Sequence, residues 1–146
     1  MSLHTDLDIY KTAEAFFVLM LALQKHVPRE FRLVVGQRVA GLAADILLQV
    51  ARANKAATPT TRMERLDVLA EHIEAVTVLL RNGRRVRAVQ RGQWSETLAL
   101  TDALGKQCTG WRKETRRRAG LQDEPDATTG RTHTPPGDLF AAAPAA

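Results

Sequence analysis

The chain has 146 residues, 45% of them hydrophobic, and a formal net charge of +5, so it can form one domain with a hydrophobic core. Its single cysteine, Cys108, excludes an internal disulfide framework and fits a reducing, cytoplasmic location. The first 15 residues contain three acids and no basic leader, and the most apolar run, residues 15–23, is shorter than the roughly 20 residues of a membrane span. We therefore expect neither a secretory signal nor a membrane partner.

Helical periodicity predicts the first two helices. Apolar residues recur every three or four positions from about Leu7 to His26, and Pro28 then places a turn at residues 27–30. A second stripe predicts a helix from about Phe31 to Asn54, followed by a connection rich in Thr and Ala. Both helices are apolar beyond one face, in AFFVLMLAL and in GLAADILLQVA with Leu47 and Leu48. This surplus favours self-association, although two well-covered central helices would show the same pattern.

The third and fourth helices are predicted from a capping motif and a further apolar stripe. Thr61 and Glu64 have the spacing of a capping box, so the third helix is expected from there to about Ala88. The turn falls at residues 89–92, and the fourth helix at residues 93–117. Its predicted inner side consists of Trp94, Leu98, Leu104, Cys108 and Trp111. Gly105 and Gly110 disfavour a helix, which suggests close approach of a neighbouring backbone.

The fold class predicted from these segments is all-α: an antiparallel up-down four-helix bundle over residues 1–118. Residues 119–146 contain four acids and one basic residue among many Pro, Gly, Thr and Ala, and we expect a disordered acidic tail there. Leu139 and Phe140 near its end are either part of this extension or a short docking motif.

Motifs for catalysis or cofactor binding are absent from the sequence, so we expect a protein that is not an enzyme and has no cofactor. The four histidines have no helical i, i+4 pairing and no cysteine nearby, which speaks against a metal site. Glu64, Asp67, Glu71 and Glu74 follow one another along the third helix, either as a solvated face or as a surface for a basic partner. Cys108 is expected to be a small buried apolar residue.

Arginine-rich clusters are the most informative feature of the sequence. The first consists of Arg81, Arg84, Arg85, Arg87 and Arg91, and the second of Arg112, Lys113, Arg116, Arg117 and Arg118. The second half of the predicted bundle would carry them at its two ends, spaced to follow a polynucleotide backbone. Phosphate binding of this kind is weakly sequence-specific and sensitive to salt. The alternative is a solvated face with cations at helix C-termini, which accounts for one or two arginines per end.

Several segments resemble the accessory variability protein of diversity-generating retroelements. The resemblance covers about residues 7–113 and is carried by LDIYKTAEAFFVLMLALQKHVPREFRLVVGQRV, by ILLQVARANKA, and by VQRGQWSETLALTDALGKQCTGWRK. The last segment ends in a pattern formed by Gly105, Gln107, Gly110, Trp111 and Lys113. By matching position, the resemblance adds four candidate nucleic-acid-binding residues, Arg29, Arg32, Arg38 and Arg52.

The resemblance implies a four-helix bundle that assembles as a homopentameric barrel and binds RNA, DNA and the retroelement's reverse transcriptase. Such a protein would support mutagenic cDNA synthesis without being an enzyme itself. Two alternatives remain open: an RNA-binding four-helix bundle of the type encoded in 23S rRNA intervening sequences, and a protein-interaction scaffold.

Overall fold

A computed structural model describes residues 7–120, which are helical almost throughout and contain no strand. The four helices are α1 (Asp8–Gln24), α2 (Arg38–Lys55), α3 (Pro59–Arg85) and α4 (Arg91–Arg118). A short 3₁₀ helix (Arg29–Phe31) and a π-helix (Arg32–Gln37) lie between α1 and α2. The predicted tail from residue 121 onward lies outside the described residues.

The helices pack as an antiparallel square. Each contacts the next along the chain and α1 also contacts α4, whereas within residues 7–120 no Cα atoms of the diagonal pairs α1–α3 and α2–α4 approach within 8 Å of each other. Consequently, the α1–α2 and α3–α4 connections lie at one end of the bundle, and the α2–α3 connection lies at the other. The predicted four-helix architecture is confirmed.

The core is supplied mainly by α1, α2 and α3. Their inward stripes are fully or almost fully buried, including Phe16 and Met20 on α1, Ile46 on α2, and Leu66 and Leu69 on α3. Removing such side chains from water is the main stabilising contribution in a bundle of this size. The continuous run Arg29–Lys55 is long and apolar enough to cross a membrane by composition, with mean hydropathy 1.5, but half of its most apolar window is buried inside the bundle.

The inner side of α4 differs from the prediction. Leu104 and Cys108 are buried as expected, but Trp94, Leu98 and Trp111 are only half-buried. Three threonines, Thr97, Thr101 and Thr115, are buried in addition. The hydroxyl of Thr97 donates to the Gln93 carbonyl at 2.7 Å, and that of Thr101 to the Leu98 carbonyl at 3.0 Å. A threonine satisfied by its own helix can face a core, which a search for apolar residues alone does not detect.

The second predicted helix does not begin as an α-helix. Its first residues form the 3₁₀ turn and then the π-helix, before α2 begins at Arg38. Gly36 in the π-helix packs against the end of α1, where a β-carbon added to it would lie 3.5 Å from the Val27 Cβ and 3.6 Å from that of Gln24. These are ordinary van der Waals distances, so the π-helix lies directly against the end of α1 without a steric need for glycine at this position.

The third helix begins earlier and ends earlier than predicted. Its N-cap is Thr58, whose side chain accepts a hydrogen bond from the Thr61 backbone N–H at 3.1 Å, with Pro59 in the first turn. The capping box of Thr61 and Glu64 was therefore wrong, because proline suits the first helical position and moves the start forward. The helix ends at Arg85, and Arg87 adopts a positive φ of 66° in the turn that follows.

The glycine prediction for α4 was also wrong within this chain. A β-carbon added at Gly105 or at Gly110 would meet nothing within 4 Å. The close approach occurs instead at Gly83, where an added β-carbon would lie 3.1 Å from Val89 Cγ2 and 3.3 Å from Val35 Cγ1. This contact brings the end of α3 against the π-helix.

Candidate nucleic-acid interface

Two connections that are distant in sequence meet at one end of the bundle. The Gln90 side-chain amide donates to the His26 carbonyl at 3.4 Å, and Gly83 packs beside Val35. We call the surface formed by residues 25–38 and 81–91 the basic end. These two segments contain nine lysines and arginines and a single acid, Glu30. Their charge exceeds that of the whole chain, whose net charge is +5.

Most cations of the basic end point into solvent. Two arginines support the fold: Arg32 donates to the Val27 carbonyl and Arg84 to the Val89 carbonyl, each at 3.3 Å. Seven others are exposed: Lys25, Arg29, Arg38, Arg81, Arg85, Arg87 and Arg91. Within residues 7–120, no salt bridge involves a residue of the basic end. The local positive charge is therefore uncompensated inside the described chain.

Helix dipoles account for only part of this arrangement. Arg84 and Arg85 lie in the last turn of α3, where the partial negative charge of a helix C-terminus favours cations. Arg91, by contrast, is the first residue of α4, and Arg29 is the first residue of the continuous helical run Arg29–Lys55 that contains α2. A cation is disfavoured at a helix N-terminus, where unpaired backbone N–H groups attract anions. Arginines and helix N-termini at one surface form an arrangement that suits phosphate.

The second arginine cluster lies at the opposite end and is largely engaged within the bundle. Arg112 on α4 forms a salt bridge with Asp67 on α3 at 2.8 Å. Arg117 and Arg118 both bind the Glu114 carboxylate. Hydrogen bonds from Arg117 and then Arg118 lower the pKa of Glu114, and Glu114 in turn raises the pKa of Arg117. Of the predicted binding residues at this end, Arg52, Lys113 and Arg116 make no such ion pair within the described residues.

The structure thus groups the predicted residues differently from the sequence. Arg29, Arg32 and Arg38 join the first cluster at the basic end, whereas Arg52, in the last turn of α2, lies toward the opposite end of the bundle. The two ends are about 42 Å apart, the length of the 28-residue α4 at 1.5 Å per residue. Lys25 was not among the predicted binding residues. It belongs to the basic end only because the α1–α2 and α3–α4 connections lie side by side, which the sequence does not show.

The structural role of Arg62 could not be predicted from the sequence either. Its guanidinium donates to the Ala53 carbonyl at 2.9 Å and to the Asn54 and Ala56 carbonyls at 3.4 Å. These groups end α2, so Arg62 closes the α2–α3 connection. No pattern of spacing marks such a residue, because one arginine in a loop sequence resembles any other.

The other candidate functional residues are the four acids of α3 and the cysteine of α4. The four acids of α3 are exposed, which agrees equally with a solvated face and with a surface for a basic partner, and Asp67 is paired with Arg112. Cys108 is buried, as expected, and burial raises the pKa of its thiol to about 11. Among residues 7–120, no group of three or more His, Cys, Asp or Glu residues could hold a metal ion.

Comparison of the chain with protein-family models, with curated proteins and with solved structures found no match. The family resemblance of the sequence therefore stays a prediction.

Proposed function

We propose that this chain is a nucleic-acid-binding protein without enzymatic activity, and that its basic end contacts the phosphate backbone. The observation that carries the proposal is the meeting of residues 25–38 and 81–91, with nine cations and one acid, at a single end of the bundle. Arginine predominates there, and its planar guanidinium binds phosphate oxygens in pairs.

The finer proposal follows from the family resemblance. We infer that the chain is an accessory protein of the reverse transcriptase of a diversity-generating retroelement, and that it holds template RNA or cDNA during mutagenic synthesis. The basic end supports the nucleic-acid part of this proposal, whereas the polymerase contact rests on the resemblance alone.

Self-association is part of the same proposal. Val18 and Leu21 on α1 are 60% and 41% exposed, and Leu48 on α2 is 50% exposed. These residues belong to the surplus apolar faces of the two helices, and aliphatic surface of this kind is commonly covered by another subunit. A homopentamer, as in the family that the sequence resembles, would repeat the basic end five times and multiply its affinity for a long polyanion.

Filter binding of a labelled single-stranded RNA at increasing salt tests the nucleic-acid proposal. We expect the logarithm of the affinity to fall linearly with the logarithm of the salt concentration, by about 0.7 per phosphate contacted. Lack of binding at low salt, or an affinity independent of salt, would contradict the nucleic-acid proposal and favour a protein-interaction scaffold.

Co-purification separates the retroelement role from other RNA-binding roles. We expect a reverse-transcriptase gene beside the gene of this chain. The full chain, expressed with that reverse transcriptase, should be recovered in a complex, and its deletion should lower cDNA synthesis. RNA binding without either effect would favour the alternative of an RNA-binding bundle of the rRNA intervening-sequence type.

A further inference from the structure

Exposed aliphatic side chains lie among the cations of the basic end. Leu33 and Val34 in the π-helix are 72% and 61% exposed, and Val86 after α3 is 53% exposed. Arg32 precedes the first pair, and Val86 stands between Arg85 and Arg87. Contacts to nucleic-acid phosphates require cations and N–H groups but no aliphatic groups, so the proposed function leaves these side chains without a role.

The local backbone holds Leu33 and Val34 outward. Their neighbours Val35 and Gly36 are buried, Gly36 against α1 and Val35 beside Gly83 of α3. Since the inward side of the π-helix is packed in this way, the two preceding side chains remain on the solvent side. They lie within two turns of the Pro28 turn that begins this helical run. An aliphatic pair is thus presented at the end of a rigid bundle.

We propose that the basic end docks on an anionic lipid surface. Leu33 and Val34 enter the boundary between headgroups and acyl chains, and the surrounding arginines bind lipid phosphates. Charge complementarity favours this occupant, because the basic end has seven exposed cations besides Arg32 and Arg84, and Glu30 is its single acid. Each cation near an anionic leaflet strengthens binding by about fivefold. The sequence alone led to the opposite expectation, that the chain has no membrane partner.

Peripheral contact fits the structure better than insertion of a whole helix. The run Arg29–Lys55 could cross a bilayer by length, but half of its apolar window is buried against the other helices. Spanning would require the bundle to open and its core to be lost. Docking by the end of the bundle needs only side chains that are already exposed, and interfacial segments commonly enter the boundary by roughly 5–10 Å.

Cosedimentation of the full chain with vesicles tests this inference. One set of vesicles contains phosphatidylcholine alone and the other about a third phosphatidylserine, a composition that gives a strongly negative surface. We expect binding to the anionic vesicles only. The double variant Leu33→Ser/Val34→Ser should weaken it by about tenfold or more, since it removes two aliphatic groups from the boundary. The matched control is Val78→Ser, which removes an aliphatic residue 53% exposed on α3, outside the basic end and about 10 Å along the helix from its last residue, Arg85.

The same variants distinguish the lipid surface from nucleic acid. The double variant should keep wild-type RNA affinity, helicity and molecular mass in solution, because it changes no cation and no buried residue. Equal binding to neutral vesicles, undiminished binding by the double variant, or an equal loss with Val78→Ser overturns the inference. A change in molecular mass by light scattering also overturns it, because the aliphatic pair would then serve self-association. A failure to bind RNA would leave the vesicle result unaffected, so the two proposals fail separately.

Discussion

The guanidinium of Arg112 lies 2.8 Å from the Asp67 carboxylate, and this pair joins the second half of α4 to the first half of α3. It shows that adjacent arginines in a sequence cluster can have different roles. Arg112 links two helices, Arg117 and Arg118 bind Glu114 on their own helix, and Arg116 forms no ion pair within residues 7–120. The positive charge of the second cluster is therefore partly neutralised by acids of the bundle. We expect a polyanion to bind more strongly at the basic end, where the cations form no ion pair within residues 7–120.

Charge reversal at the basic end should therefore weaken nucleic-acid binding more than reversal at the other end. We expect Arg81→Glu/Arg85→Glu to lower RNA affinity by about tenfold or more and to reduce the salt dependence by roughly the contribution of two phosphate contacts. The matched control is Arg117→Glu/Arg118→Glu, which removes the same charge from residues bound to Glu114. Filter binding measures both, and circular dichroism checks helicity. Equal losses in the two variants would contradict a dominant basic end.

Regular apolar stripes could be predicted from the sequence, whereas the contacts between distant segments could not. The stripes of α1, α2 and α3 could be recognised because every turn contributes an apolar residue, such as Phe16, Ile46 or Leu69. The inner face of α4 was misassigned because threonines that bond to their own helix carry no apolar signal. The arginine clusters could be recognised in the sequence. That residues 25–38 and 81–91 form one surface could not be predicted, because it depends on the contact of Gln90 with His26 at the end of the bundle.

Loss of Arg62 should destabilise the bundle through the α2–α3 connection. Its guanidinium satisfies three carbonyls at the end of α2, and leaving such acceptors without a charged donor costs about 1–3 kcal/mol. Urea unfolding of Arg62→Ala should show this decrease in the free energy of unfolding. Arg65→Ala is the matched control, because Arg65 is exposed on the next turn and should change stability by less than about 0.5 kcal/mol. Similar values for the two variants would contradict the assigned role.

The start of α3 can be tested by two threonine substitutions. Thr58→Ala removes the N-cap acceptor of the Thr61 N–H and should lower the free energy of unfolding by about 0.5–2 kcal/mol. Thr60→Ala changes an exposed threonine inside the first turn and should have little effect or slightly increase stability. Thermal unfolding followed by circular dichroism measures both changes. A larger loss at Thr60 than at Thr58 would place the helix start elsewhere.

The buried thiol of Cys108 makes stability dependent on pH in the alkaline range. Burial raises the pKa of Cys108 from 9.0 to about 11, so the folded chain retains the thiol proton where the unfolded chain releases it. The resulting stabilisation is complete below pH 9 and is lost as the pH rises toward 11, with a total of no more than about 3 kcal/mol. The difference in unfolding free energy between the wild type and Cys108→Ala isolates it, since the two chains share all their other ionisable groups. A difference that stays constant from about pH 8 to about pH 11 would contradict the raised pKa.

Alanine substitutions at two helical glycines should have opposite effects. Gly105→Ala adds a methyl group that meets nothing within 4 Å, so it should stabilise the chain by up to about 1 kcal/mol through helix propensity. Gly83→Ala places its β-carbon 3.1 Å from Val89 and 3.3 Å from Val35, and overpacking of about 1–3 kcal/mol should outweigh the same gain. Urea unfolding, with light scattering to measure mass, compares the two. A stabilised Gly83→Ala variant would contradict the close packing of α3 against the π-helix. A destabilised Gly105→Ala variant of lower mass would show that another copy of the chain approaches α4 at this glycine, which would restore the original expectation of close backbone approach between subunits.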